Sequence, residues 1–154
     1  MRRPRPSSDL RGDDEGSAAL EFIVAGVVLL VPIVYLIVTL GLVQAGALGV
    51  DAAARHVARS VAASEDAADA DERSARVIAS IIDEYDLDPE SVEVSVSCAG
   101  PAEECPDAGR TLRVTVSARV PLPLVPPVLG LDETARVTVE STSVQKVSRY
   151  WDGS

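Results

Sequence analysis

The fold of this chain depends first on residues 22–43, which read FIVAGVVLLVPIVYLIVTLGLV. Between Glu21 and Asp51 the sequence has no charged side chain. A helix that crosses a bilayer needs about 20 mostly apolar residues, so this stretch predicts one membrane-spanning helix. Pro32 lies inside it, and because membrane helices tolerate proline with a kink, we expect a kink there rather than a helix end.

The arginines around the span predict its orientation. Four arginines lie within the first 11 residues, whereas Arg55 and Arg59 follow the span at a greater distance. Since basic residues stay on the cytoplasmic side, we expect a cytoplasmic N-terminus and an extracytoplasmic C-terminal part. The expected domains are a cytoplasmic leader (1–16), the transmembrane helix with an extracytoplasmic extension (17–63), a small α+β domain (64–149) and a tail (150–154).

Other interpretations of this N-terminus stay open. A secretory signal peptide could end at VQA (residues 43–45), but its apolar core has about 7–15 residues, fewer than this run. A twin-arginine signal at residues 2–3 is disfavoured because PRP (residues 4–6) follows where an apolar core should approach. An uncleaved signal anchor is the third alternative.

Two further helical faces follow the span. The extension beyond it has one weakly apolar face, formed by Val50, Ala54, Val57 or Ala58, and Val61. A separate amphipathic helix, capped by Ser64 or Asp66, has a buried face formed by Val77, Ile78, Ile81, Ile82 and Tyr85. We expect that helix to end at Asp88 and Pro89, since the residue before proline avoids the α region.

Three later stretches alternate with period two, as half-buried antiparallel strands do. Their apolar positions are Val92, Val94, Val96 and Cys98; then Leu112, Val114, Val116, Ala118 and Val120; then Ala135, Val137 and Val139. An apolar, proline-rich connection at residues 121–130 covers the core, touches the membrane surface or binds a neighbouring subunit. The predicted fold class is α+β: a long N-terminal transmembrane helix, an amphipathic helix and a small three-stranded antiparallel sheet.

The two cysteines, Cys98 and Cys105, are close in sequence. In an oxidising compartment they can form a disulfide, with free thiols as the alternative. Two thiols are too few for a structural zinc site, which normally needs four ligands, and the single His56 is far away in the sequence. We therefore expect no metal site.

Composition argues against several classes of function. The formal net charge is −10, whereas a nucleic-acid binder needs a basic face, so no nucleic-acid partner is expected. The sequence has no phosphate-binding glycine loop and no serine in a nucleophile elbow, and His56 among alanines is a poor candidate for a base. We expect no enzyme activity, no cofactor and no small-molecule substrate.

One family resemblance is carried by residues in a fixed order. Gly16, then AALEF (residues 18–22), then Pro32 within the span, then DAAARHVARSVAA (residues 51–63) resemble the tight-adherence (Tad) pseudopilins of the TadE/TadG-like family. The match covers about residues 12–63; beyond them it is one of architecture. The resemblance implies a pilin-like fold, held in a bacterial cytoplasmic membrane.

The resemblance also implies site residues. It implies processing by a membrane prepilin peptidase between Gly16 and Ser17, and it places Glu21 and Phe22 in subunit assembly. After that cut Ser17 would carry a free α-amino group, and in pilin-like proteins the glutamate pairs with the N-terminus of a neighbouring subunit. Snorkelling of Glu21 to the headgroups is the alternative. The acidic residues 13–15 depart from the basic leaders of many pilins, so a retained leader stays open.

Two functions are consistent with this sequence. The first is a minor pseudopilin, or a membrane-anchored assembly component of a Tad/Flp-type pilus that serves cell adhesion. Its partners would be the lipid bilayer, other Tad pilin-like subunits, the pilus assembly machinery and the prepilin peptidase. The second is an uncleaved, signal-anchored extracytoplasmic binding module of an unrelated envelope system.

Overall fold

A computed structural model of the protein describes residues 14–99, 105–125, 128, 130 and 134–152, with only the backbone at 14–18. Most of the predicted leader, residues 100–104 of the loop between the two cysteines, parts of the proline-rich connection and the last two residues of the predicted tail lie outside the described residues. The chain divides into two compact units, Met1–Val38 and Thr39–Ser154.

Helix α1 comprises Asp14–Ala63 and passes through Pro32. Among the described residues, it is the one helix that is long and apolar enough to cross a membrane, as the sequence predicts. It begins three residues before the predicted start at Ser17. In the first unit its large apolar side chains are exposed, a surface suited to lipid or to other helices.

Helix α2 comprises Ala67–Tyr85. The carboxylate of Asp66 caps it by accepting a hydrogen bond of 2.9 Å from the backbone N–H of Asp69, which satisfies one of the free donors at a helix start. The helix ends before the predicted position, because Asp86 takes a left-handed conformation with φ of 50°. Aspartate is one of the few residues that tolerate this conformation, so the chain turns before it reaches Pro89.

The sheet has three antiparallel strands in the order β1-β2-β3. They are β1 (Glu93–Cys98), β2 (Thr111–Pro121) and β3 (Arg136–Lys146), with a short 3-10 helix at Pro89–Ser91 before the first. The central strand alternates strictly, and its inward side chains are buried: Leu112, Val114, Val116, Ala118 and Val120. The predicted α+β class with a three-stranded antiparallel sheet is confirmed.

The core of the second unit lies between the sheet and the last four turns of α1. The predicted helical face is buried there together with Ala53, which the prediction did not include. The exposures are between 0 % and 4 % for Val50, Ala53, Ala54, Val57, Ala58 and Val61. Small side chains allow the helix to approach closely. A Cβ built on Gly46 would lie 2.5 Å from a methyl of Val120, and one on Gly49 would lie 2.9 Å from the ring of Tyr85.

Two strands differ from their sequence predictions. Strand β3 continues to Lys146, seven residues beyond Val139. The sequence pattern does not predict this continuation, because the inward positions beyond Val139 are polar and the apolar alternation stops. One of these positions, Ser141, donates a hydrogen bond of 3.0 Å to the carboxylate of Asp51 on α1. Strand β1 pairs with β2 in the predicted order. Its apolar face, however, is not buried in the core as the alternation predicts, since Val94 and Val96 are 36 % and 43 % exposed.

The end of the chain packs against the helices. The backbone N–H of Ser148 donates to the carbonyl of Ala62, and that of Asp152 donates to the carbonyl of Glu65, at 2.8 and 2.7 Å. Trp151 is buried in the core, whereas Tyr150 beside it is 91 % exposed. Residues 148–152 therefore close the junction between α1 and α2, although the sequence suggested only a tail.

Candidate functional site

Glu21 lies on an apolar face of α1. Its neighbours on that face, spaced three and four residues apart, form a shallow surface made of Leu20, Val24, Ala25 and Val28. Helical side chains at these spacings stack on one side of the helix. The carboxylate is therefore the polar group of an otherwise apolar surface, as the sequence predicts from the order of the residues.

Within the described part of the chain, no side chain pairs with Glu21 by an ion pair or a hydrogen bond. The side chain is exposed, and Phe22 beside it is 81 % exposed. A carboxylate near the mouth of a membrane helix is expensive without a partner. This arrangement leaves Glu21 able to bind a cation or a hydrogen-bond donor supplied from outside the described residues.

Gly16 and Ser17 lie in the first turn of α1. Cleavage between Gly16 and Ser17 would require an extended chain without a side chain before the scissile bond. The helical backbone at this bond would have to unwind before a protease could bind it. Since the first turn of a helix makes few internal hydrogen bonds, such unwinding costs less there than in the helix interior.

The remaining surface of the first unit is apolar and open. Exposed side chains continue along it from Ile23 to Val38, and a Cβ built on Gly26 would have no neighbour within 4 Å. Pro32 removes one backbone donor from this stretch. The surface can bind acyl chains or another helix. Because Gly26 has no side chain, a second helix can approach closely there.

The second unit contains the predicted disulfide. Cys98 and Cys105 are joined, with their Cα atoms 5.5 Å apart, so the free-thiol alternative is excluded. The bridge ties the end of β1 to the segment that leads into β2. The structure thus separates the predicted site residues: Gly16, Ser17, Glu21, Phe22 and Pro32 belong to the first unit, and the two cysteines to the second.

A groove that no sequence pattern indicates lies beside the disulfide. It has a volume of about 360 Å³ and is lined by Val57, Val61, Ala67, Ala70, Asp71, Ser74, Val94, Val96, Cys105 and Pro106. The hydroxyl of Ser74 is buried and has no hydrogen-bond partner among the described residues. The alternation of β1 marks Val94 and Val96 as apolar, but it cannot show that this face meets a groove instead of the core.

One pair of charged side chains, Asp69 and Arg73, lies on α2 near the groove. Asp69 binds Arg73 at 2.6 Å, and this hydrogen bond holds the pKa of the Asp69 carboxyl below its usual value of 3.8. Among the described residues there is no cluster of three or more His, Cys, Asp or Glu side chains that could hold a metal ion. His56 is exposed on α1. The chemistry that these surfaces offer is therefore electrostatic pairing and apolar contact.

Comparison of the chain with protein-family models, with curated proteins and with solved structures finds no match.

Proposed function

We propose that this protein is a minor pseudopilin, or a membrane-anchored assembly component, of a Tad/Flp-type pilus. The observation that carries the proposal is Glu21, an exposed carboxylate on an apolar helix, without a partner in the described part of the chain. The sequence order of Gly16, Glu21 and Pro32 supports it, and so does the α+β unit that follows the helix. The protein acts by packing its helix against other pilin-like subunits.

The proposed mechanism is an ion pair between two neighbouring subunits. If the leader is removed after Gly16, Ser17 acquires an α-amino group close to the apolar part of the helix. An amine and a carboxylate 4 Å apart attract by about 4 kcal/mol at an effective dielectric constant of 20. The amine of one subunit and Glu21 of the next therefore fix the longitudinal register of two helices, while apolar contacts supply the area.

The α+β unit would carry the contacts of the subunit outside the membrane. The outer face of its sheet is polar, with alternating hydroxyl and charged side chains on β2 such as Arg113, Thr115 and Arg119. The hydroxyls of Thr115 and Thr142 bind each other across the strands at 3.0 Å. A pleated face of this kind suits a neighbouring subunit or the assembly machinery.

Replacement of Glu21 by alanine tests the proposal. We expect Glu21→Ala to insert into the membrane as the wild type does and to lose cross-linking to neighbouring subunits, because the amine of the neighbour has no counter-ion. The matched control is Glu72→Ala, which removes an exposed carboxylate of α2. Site-specific cross-linking in membranes measures both, and unchanged cross-linking of Glu21→Ala would show that the pairing does not occur.

The mass of the membrane-extracted protein tests the processing step. Loss of residues 1–16 supports the pseudopilin. A retained leader favours the second candidate, a signal-anchored binding module. The groove between α1, α2 and β1 is the observation that supports this second candidate, because Val94 and Val96 offer an apolar surface there.

A further inference from the structure

The connection between β2 and β3 carries apolar side chains that the core does not use. Leu124 is 86 % exposed and Val128 is 52 % exposed. The sequence from Val120 to Gly130 has no charged residue. Leu124 therefore does not cover the core. Of the three alternatives for this connection, contact with the membrane surface and contact with a neighbouring subunit remain.

The packing of the second unit shows where this connection lies along α1. Strand β2 begins beside the end of the helix, since Val147 donates to the carbonyl of Arg110 and Ser148 donates to that of Ala62. It ends beside Gly46, which contacts Val120. The strand therefore runs opposite to α1, towards the apolar end of the helix.

The reach of the strand can be estimated from element geometry. The ten residue steps from Arg110 to Val120 run alongside the sixteen helix steps from Ala62 to Gly46. One strand residue therefore advances by about 1.6 helix residues here, whereas rises of about 3.3 and 1.5 Å give about 2.2 for parallel axes. The ladder continues to Leu122, whose N–H donates to the carbonyl of Ala135 at 2.9 Å. At about 1.6 to 2.2 helix residues per strand residue, two more strand residues correspond to about three or four helix residues, so Leu122 reaches about the level of Leu42 or Val43, where the apolar span ends.

The helix surface at that level is also apolar and exposed. Leu40 and Leu42 are 53 % and 43 % exposed, and both belong to the same unit as the hairpin. The exposed apolar surface of α1 at Leu40 and Leu42 and the tip of the hairpin therefore share one level. Leu124 has a φ of 63°, a left-handed conformation that is uncommon for leucine and usually taken by glycine or asparagine in a turn.

We propose that the tip of the β2–β3 hairpin, formed by residues 122–125 and Val128, inserts into the interface of the bilayer that holds α1. Leu124 is the central apolar contact. Burial of this leucine in the interface stabilises the exposed conformation of the tip and restrains the second unit against the membrane. Arg119 and Arg136 flank the tip and already pair with Glu93 and Asp88 at 3.5 Å, so binding is apolar and needs no anionic lipid.

This proposal needs only that α1 is embedded in a bilayer; it does not depend on pilus assembly. The test uses the full chain in phosphatidylcholine vesicles, with one added cysteine labelled by an environment-sensitive fluorophore. The native cysteines are paired and do not compete for the label. The probes are Leu124→Cys at the tip and Val128→Cys as a second tip position, in case the first variant folds poorly.

Two control probes give the quenching expected inside the bilayer and in water. Val28→Cys lies on the apolar surface of α1, and Val144→Cys lies on β3 at the opposite end of the hairpin, where valine is 49 % exposed. We expect nitroxide-labelled lipids to quench most of the fluorescence of Val28→Cys and of the tip probes, and to leave Val144→Cys almost unquenched. Vesicles with anionic lipid should give the same pattern.

Three outcomes would overturn the proposal. Tip probes that behave like Val144→Cys, with Val28→Cys quenched, would place the tip in water. An unquenched Val28→Cys would remove the membrane embedding on which the proposal rests. Tip fluorescence that changes with the protein-to-lipid ratio, without quenching by labelled lipid, would show that the tip binds another subunit instead.

Discussion

At the scale of single residues, small side chains determine how α1 meets the sheet. Gly46 and Gly49 leave room for Val120 and for the ring of Tyr85, whereas a Cβ built on Gly26 or on Gly41 would have no neighbour within 4 Å. Glycine costs helix stability in water, by about 0.5–1 kcal/mol relative to alanine. At positions 46 and 49 the structure gives a reason for that cost, because a larger residue would force the sheet and Tyr85 away.

Asp69 is a residue whose protonation should affect stability. Its pKa is held below the usual 3.8, mainly by the hydrogen bond from Arg73, so the folded state binds this proton less readily than the unfolded chain does. The stabilisation is present at neutral pH and is lost as the pH falls below about 4 through the folded pKa. We expect Asp69→Asn to unfold more readily than the wild type at pH 7, and the difference to shrink with acidification.

Denaturant unfolding at a series of pH values measures this difference. The control is Glu72→Gln, since Glu72 pairs with Arg76 at 3.4 Å with both side chains largely exposed, and exposed pairs contribute little. A difference between Asp69→Asn and the wild type that stays constant down to pH 3 would contradict the linkage.

At the scale of elements, β1 is the least supported strand of the sheet. It pairs with β2 on one side only and its apolar side chains are partly exposed, so the bridge between Cys98 and Cys105 is its main additional restraint. The chain-entropy model assigns a disulfide that closes such a short loop about 2 kcal/mol. The bridge therefore substitutes for part of the core that β1 lacks.

Cys98→Ser should lower the yield and the protease resistance of the α+β unit, because β1 frays once the loop is open. Limited proteolysis with and without reductant measures this effect. We expect reductant to make the wild type as sensitive as Cys98→Ser and to leave the variant unchanged. The control Ser97→Ala, an exposed position on the same strand, should behave as the wild type; equal resistance of Cys98→Ser and the wild type would show that the bridge is dispensable.

At the scale of the whole second unit, the chain end completes the fold. Ser148 and Asp152 satisfy carbonyls at the end of α1 and in the connection to α2, and Trp151 fills the core between them. Free carbonyls at a helix end need such partners. A short segment thus joins the two helices to the last strand.

Trp151→Ala should destabilise this unit by about 3 kcal/mol, since it removes a buried aromatic side chain and leaves a cavity. Tyr150→Ala is the matched control: it removes an aromatic side chain one residue away that is almost fully exposed, and we expect less than about 0.5 kcal/mol. Thermal or denaturant unfolding of the protein in detergent measures both. Equal effects of the two substitutions would contradict the burial of Trp151.

Local patterns in the sequence determined most of the elements of this protein. The apolar run from Phe22, the helical face at Val50 to Val61 and the strict alternation of β2 predict α1, its buried face and the central strand, because each pattern reflects the geometry of one element. Short-range chemistry also narrowed the cap of α2 to Ser64 or Asp66 and made a bridge between Cys98 and Cys105 possible, and the structure decided both. Glu21 is prominent in the sequence because a charge at the edge of an apolar run is visible without a fold.

Only the tertiary structure decided which surfaces these elements bury. The alternation of β1 is as regular as that of β2, yet Val94 and Val96 line an open groove, because a sheet face is covered only where a helix lies across it. Trp151 carries no periodic signal, and its burial depends on the approach of the chain end to Glu65. The level of Leu124 along α1 depends on the direction of β2 relative to the helix. Contacts between distant residues set these features, and no local pattern encodes them.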